Sequence, residues 1–220
     1  MKIAFIGLGV MGGPMAQNIV EAGGHDVRAL DIDAAKVAAL DTVGATGVST
    51  VADAVKEADL VMTSLPGPAQ LEQLAFADDG LFAHIPAGAC WIDLSTNNLE
   101  IGGRLAAQAI QQGVEMLDAP VSGGDEGARA GSLTVLVGGE AEVFEKYLPV
   151  LEIIGSNITH LGPHGAGYSA KISQVILCYF HSLALSEALM LGIKGGVQAS
   201  QMLSIIQNST GHSYVADRYG

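Results

Sequence analysis

Positive charge is scarce in this sequence. Ten lysines and arginines stand against 23 aspartates and glutamates, a formal net charge of −13. Nucleic acid and anionic membrane both need a basic face, so neither is expected as a partner. A small anionic ligand stays open, because helix N-termini and one or two local cations can hold one. Cysteines number two, and Cys90 and Cys178 lie far apart in apolar runs. Two buried free thiols in a reducing compartment are therefore expected rather than a disulfide. No His, Cys, Asp and Glu grouping reads as a metal site. Met1 runs straight into an apolar strand, which leaves no room for a signal peptide and predicts a cytoplasmic protein. Aromatics are sparse at 5%, whereas glycines number 29 and hydrophobic residues make up 49% of the 220 positions. That balance predicts an α/β protein with close backbone packing, long enough for one domain and part of a second.

The first thirty residues carry the most specific pattern. Lys2 to Ile6 reads as a short strand, and Gly7-Leu8-Gly9-Val10-Met11-Gly12 follows it. A helical stretch then runs to Ala22, and a second strand ends at Asp31. In such a strand–turn–helix–strand unit, Gly7 permits the tight turn and Gly9 lets the backbone approach a pyrophosphate. Gly12 lets the helix pack on the strand. Leu8, Val10 and Met11 of the same turn are taken as cofactor contacts, with the pyrophosphate on the first amides of the helix, where the helix dipole favours negative charge. Asp31 stands at the spacing of an acid that accepts hydrogen bonds from a ribose 2′,3′-diol and repels a 2′-phosphate. The cofactor expected is NAD, with NADP left open.

The β-α alternation then continues, with strands at 60–64, 90–94, 114–117, 131–139 and 157–161. In open parallel sheets ligands gather outside the C-terminal strand ends, which points to Leu65, Pro66 and Thr96 as cofactor contacts. After the strand ending at Leu117 comes Asp118-Ala119-Pro120-Val121-Ser122-Gly123-Gly124. Ser122, Gly123 and Gly124 together offer a hydroxyl and backbone amides that can hold a carboxylate. From 165 to 193 runs an apolar stretch without proline, predicted as one helix of roughly 43 Å at 1.5 Å per residue. Its length would suffice for a membrane span. Gln174, His181 and Glu187 interrupt it at different angles, however, and a buried helix of a soluble protein is the expectation. Lys171 in its first turns is the candidate for the chemistry.

Four blocks in this order resemble the β-hydroxyacid dehydrogenases, the group with 3-hydroxyisobutyrate dehydrogenase and tartronate semialdehyde reductase. They are GLGVMGGPMAQN (7–18), DAPVSGG (118–124), GSLTVLVGG (131–139) and GAGYSAK (165–171). The resemblance implies an N-terminal Rossmann doubly wound sheet over residues 1–162. From 163 to 220 it implies the start of an all-helical substrate and dimerisation domain led by the long interdomain helix. It further implies reversible hydride transfer between NAD(P) and a small 3-hydroxy carboxylate. In that reading Lys171 is the acid/base, Ser122, Gly123 and Gly124 lie at the substrate carboxylate, and Thr96 lies near the nicotinamide. A homodimer or homotetramer is expected through the helical domain.

The sequence departs from the family in three places. Gln174 and Val175 stand where an asparagine follows the lysine by one turn. Gln174 keeps an amide on the Lys171 face, one methylene further out, and is taken as a substrate contact. Asn97, Asn98 and Leu99 replace the family's proline after the Ser-Thr pair. Relatives continue with several helices where this chain ends at Gly220, so a partner subunit is expected over the long helix. The alternative is a non-catalytic or weakly active NAD-binding paralogue with a sensor or scaffold role.

Overall fold

The computed structural model describes residues 1–220, the side chain of Tyr219 excepted. It begins with β1 (Lys2–Ile6), α1 (Gly12–Ala22), β2 (Asp26–Leu30), α2 (Ala34–Asp41), β3 (Thr46–Gly47), α3 (Val51–Val55) and β4 (Leu60–Thr63). There follow α4 (Pro68–Phe76), α5 (Leu81–His84), β5 (Cys90–Asp93), α6 (Leu99–Gln111), β6 (Glu115–Asp118), β7 (Val121–Ser122) and α7 (Gly124–Arg129). The last elements are β8 (Leu133–Gly139), α8 (Ala141–Ile154), β9 (Gly155–Gly162), α9 (Ala166–Lys194), α10 (Ala199–Gln207) and α11 (Tyr214–Tyr219).

One sheet holds all nine strands in the order β3-β2-β1-β4-β5-β6-β8-β7, with β9 alongside β8. The strands from β3 to β6 are parallel, and β8 enters antiparallel to β6 and β7. Alternation along each strand sends side chains to two separate cores. Ile3 and Phe5 of β1, Leu60 and Met62 of β4 and Ile92 of β5 meet α1 and α8 on one face. Ala4, Ile6, Val61 and Trp91 meet α3, α4, α5 and α6 on the other. Each large apolar side chain buried this way contributes roughly 1.5–3 kcal/mol before the entropy of ordering it is deducted. Helix starts follow local chemistry: Asp33, Thr50 and Asn98 each accept a hydrogen bond from a first-turn amide, and Pro68 opens α4. The strand order reverses direction of growth between β1 and β4, which opens a crevice at their C-terminal ends.

Compactness divides the chain into Met1–Lys171 and Ile172–Gly220. The first turns of α9 fall in the first of these units because they pack on the strand ends through Gly167 and Tyr168, the buried residues of that helix. Two expectations need correcting. The stretch predicted as a buried helix forms α9, but no part of its most apolar window is buried within this chain. Tyr179, Phe180, Leu183 and Leu191 of α9 are all exposed. Cys178, expected buried, is accordingly only half-buried, while Cys90 is fully buried and both are free thiols. In the Ser122-Gly123-Gly124 segment, Ser122 pairs with Thr134 of β8 and Gly124 opens α7.

Adjacent glycines of α6 offer a direct check of this packing. A β carbon on Gly102 would lie 2.6 Å from Cε2 of Tyr168, whereas one on Gly103 would meet nothing within 4 Å. Gly103→Ala should stabilise the protein by about 0.5–1 kcal/mol through helix propensity and chain entropy. Gly102→Ala should instead destabilise it by about 1–3 kcal/mol through overpacking against the ring. Urea denaturation of the two variants checks this, and equal shifts would contradict the contact.

Candidate active site

A cavity of about 690 Å³ occupies the crevice at the ends of β1, β2 and β4. Of the residues singled out in the sequence, Gly7, Gly9, Val10, Met11, Gly12, Asp31, Leu65 and Pro66 line it. The turn is built as its pattern requires. Gly7 has φ +94° and a β carbon there would lie 2.9 Å from Leu65 Cδ2, while one on Gly12 would run into the carbonyl oxygen of Gly7. Gly9 faces open space, with nothing within 4 Å of a built β carbon. No side chain caps the start of α1, so the positive end of its dipole faces the crevice. Asp31 is fixed in place: one carboxyl oxygen accepts the Leu8 amide at 2.6 Å and the other the Asp33 amide at 2.8 Å. Backbone approach, uncapped helix end and a held acid fit a dinucleotide.

Two expected contacts lie elsewhere. The Leu8 side chain is buried in the core, so this residue serves through its amide's bond to Asp31. Thr96 is exposed beyond the end of β5 and does not line the cavity. Sequence reasoning also missed the outer wall, formed by Ile32, Lys36, Gln70 and Gln73. Ile32 is fully solvent-exposed, and an isoleucine between two aspartates at a strand end was the available signal. Lys36 places its ammonium 3.8 Å from Asp31 and 3.9 Å from Asp33.

A second polar cluster sits under the start of α9. Asp118 is 1% exposed, and its two carboxyl oxygens accept the amides of Gly165 at 2.9 Å and Tyr168 at 3.0 Å. It thus caps α9 from another element, meeting amides that a helix start leaves unpaired. His164 Nδ1 lies 3.6 Å from the same carboxyl. Asp93, completely buried, accepts from the Thr63 hydroxyl at 2.7 Å, the Ser95 amide at 3.2 Å and the Tyr168 hydroxyl at 2.7 Å. Thr63 in turn accepts from the indole of Trp91 at 3.0 Å. Loss of solvent outweighs these donors and pushes the Asp93 pKa up to about 6. Burial, and the Asp93 carboxyl beside it, hold the Tyr168 phenol well above the usual tyrosine range.

Lys171 is half-buried and lies one turn after Tyr168 in α9, in the same compact unit as Ser122. Ser122 is half-buried, and Gly123 and Gly124 are exposed with φ +138° and +67°. Gln174 is exposed and belongs to the second unit. Chemically, the first cluster can hold a nucleotide by its phosphates and ribose. Ser122 with its two glycines can hold a carboxylate, and a lysine can exchange a proton with a substrate oxygen.

Two family models cover the chain almost end to end. The NAD binding domain of 6-phosphogluconate dehydrogenase matches residues 2–162. The model described as NAD-binding of NADP-dependent 3-hydroxyisobutyrate dehydrogenase matches 165–220. An NAD-dependent L-serine dehydrogenase of Pseudomonas aeruginosa is 41% identical over 218 residues, which is 99% of this chain and 73% of that protein. A 3-hydroxyisobutyrate dehydrogenase of the same organism is 41% identical, covering 99% and 72%. Among solved structures, the Mycobacterium tuberculosis 3-hydroxyisobutyrate dehydrogenase with L-serine superposes with a TM-score of 0.86 at 36% identity, covering 99% of this chain and 73% of that one.

The buried Asp93 makes a pH-dependent contribution to stability. Its pKa is near 6 in the folded chain and about 3.9 unfolded, so folding takes up a proton between these values. Its contribution is most favourable below pH 4, declines as pH rises to 6, and is constant above that, by roughly 3 kcal/mol at most. The stability difference between the native protein and Asp93→Asn should therefore fall from pH 4 to 6 and level off. Urea denaturation across that range reads it, and a difference that rises or stays flat contradicts the assignment.

Proposed function

Because the chain belongs to the β-hydroxyacid dehydrogenases, NAD(P)-dependent oxidoreductases of hydroxy acids, we propose that it oxidises a small 3-hydroxy carboxylate of 3-hydroxyisobutyrate size, or reduces the matching semialdehyde, with NAD preferred. The observation that carries the NAD preference is Asp31, held by two backbone amides at the wall of the cavity. A fixed carboxyl there accepts bonds from a ribose diol and repels a 2′-phosphate.

Gly9, Val10, Met11 and Gly12 hold the pyrophosphate, and Leu65 and Pro66 close the opposite wall. When bound, the dinucleotide supplies the hydride acceptor. Ser122 and the amides of Gly123 and Gly124 take the substrate carboxylate, which orients the carbinol carbon. Lys171 accepts the hydroxyl proton during oxidation and returns it to the oxygen during reduction. The exposed apolar side chains of α9, together with Ile205 of α10, support a homodimer or homotetramer, since contiguous apolar surface marks an interface. The free thiols and acidic balance support a soluble cytoplasmic enzyme.

Oxidation of 3-hydroxyisobutyrate and L-serine and reduction of tartronate semialdehyde, followed at the NADH absorbance, test the reading. Turnover is expected with kcat/KM higher for NAD than for NADP. Lys171→Ala should lower kcat by about 10²–10⁴-fold while NAD affinity is retained; an unchanged kcat sinks the assigned role. Light scattering at micromolar concentration should give a dimer or tetramer mass, and a monomer would remove the proposed assembly.

A further inference from the structure

Tyr168 takes no part in the chemistry proposed above, yet it is the large side chain that α9 buries, 1% exposed. Its ring lies against Gly102 of α6, and its hydroxyl donates to Asp93 at 2.7 Å. Asp93 also accepts the amide of Ser95. The Ser95 hydroxyl oxygen accepts the amide of Leu65 at 2.9 Å, and Leu65 lines the cavity. One unbroken line of hydrogen bonds therefore runs from the cavity wall through Ser95 and Asp93 to Tyr168. The Asn97 amide borders the same phenol closely enough to act on its ionisation, though its Nδ2 is outside bonding geometry with any partner.

We propose that Tyr168 is a positioning residue for catalysis: its hydrogen bond to Asp93 sets the rotation of the first turns of α9, and so the place of the Lys171 amine, against the cofactor-binding strand ends. Residues three apart on a helix share a face, so any turn of the helix that moves the phenol moves the lysine with it. Asp118 alone does not fix this. The two amides it holds point along the helix axis and set the height of the first turn. A side chain reaching sideways is what resists rotation about that axis, and among the described residues Tyr168 is the buried side chain of α9 that does so. Other groups facing the pair are Thr63, Ser95 and Asn97, with Asp118 and His164 beyond them. Apart from Asp93 and Asp118, none of these carries a fixed charge that could substitute for the bond. The proposal rests on Lys171 as the acid/base.

Tyr168→Phe removes only the hydroxyl and keeps the ring on Gly102. A displacement of about an ångström at a reacting group costs up to about 10²-fold in rate. The variant should thus lose about 10- to 100-fold in kcat, with a smaller change in KM and NAD affinity within about twofold of native. Losing a donor to a buried carboxyl destabilises the fold, so a second pair of variants carries the same test. Asp93→Asn still offers an acceptor to the phenol and should keep a kcat at least about tenfold above that of Asp93→Asn with Tyr168→Phe, which lacks the bond but strands no charge. Equal kcat in those two, or a folded Tyr168→Phe within twofold of native, overturns the proposal. Lys171→Ala measured alongside separates the readings. If it retains turnover, the lysine's role is wrong; if it is inactive while Tyr168→Phe is native-like, only the positioning role is wrong.

Discussion

A helix start leaves amide donors unpaired, and those of Gly165 and Tyr168 in α9 are met by the side chain of Asp118, from the end of β6. Such a contact needs the two elements very close together. Glycines at 138 and 167 make the room: a β carbon on Gly138 would lie 2.7 Å from both carboxyl oxygens, and one on Gly167 would strike the carbonyls of Leu136 and Asp118. Small residues on two elements, β8 and α9, thus let one buried carboxyl satisfy a helix end. Without it, buried amides would lack partners at a cost of about 1–3 kcal/mol each. The turn that carries Lys171 takes its position from this junction.

Glycine is used in two opposite senses at the other end of the site. Gly7 and Gly12 are where the chain leaves no space, and together they bring α1 against β1 and the end of β4. Gly9, between them, is where the chain leaves space unfilled. The first sense is packing and the second is room for a ligand's close approach. A single hexapeptide therefore fixes both the geometry of the helix start and the opening above it, which is why the cavity coincides with the turn.

That hexapeptide made half of the site legible in advance. Spacing alone was enough for Gly9 and Asp31, because the pattern binds through backbone and one acid at a fixed distance along the chain. The alternation of Ile3 and Phe5 against Ala4 and Ile6 likewise declared a sheet covered on both faces. Asp93 and Asp118 were harder to read. Each is one acid at the end of an apolar strand, and their partners lie 75 and 50 residues away along the chain. An acid in the run Cys90-Trp91-Ile92-Asp93 demands buried donors, but nothing local says which. What covers α9 was illegible for another reason. Its apolar residues surround the helix, so periodicity gave no polar face, and hydrophobicity by itself does not say whether the cover lies in the same chain.

Net charge and local charge part company in this molecule. A chain of −13 is proposed to hold a cofactor that carries two phosphates, and the long-range field opposes that encounter. At contact distance the balance is decided by other groups, since exposed charges beyond about 10 Å are screened at ordinary ionic strength. The uncapped start of α1 faces the cavity where the pyrophosphate is proposed to lie. At the proposed ribose end, Asp31 is met by Lys36 at 3.8 Å, with Asp33 also near that ammonium. The proposed discrimination against a 2′-phosphate is then a difference between a held carboxyl and a half-exposed lysine, not the action of one acid. The carboxyl side chain is 8% exposed and the lysine 45%. A rigid, desolvated charge acts more strongly than a solvated one at the same distance, so Asp31 outweighs its neighbour and the proposed preference falls to NAD.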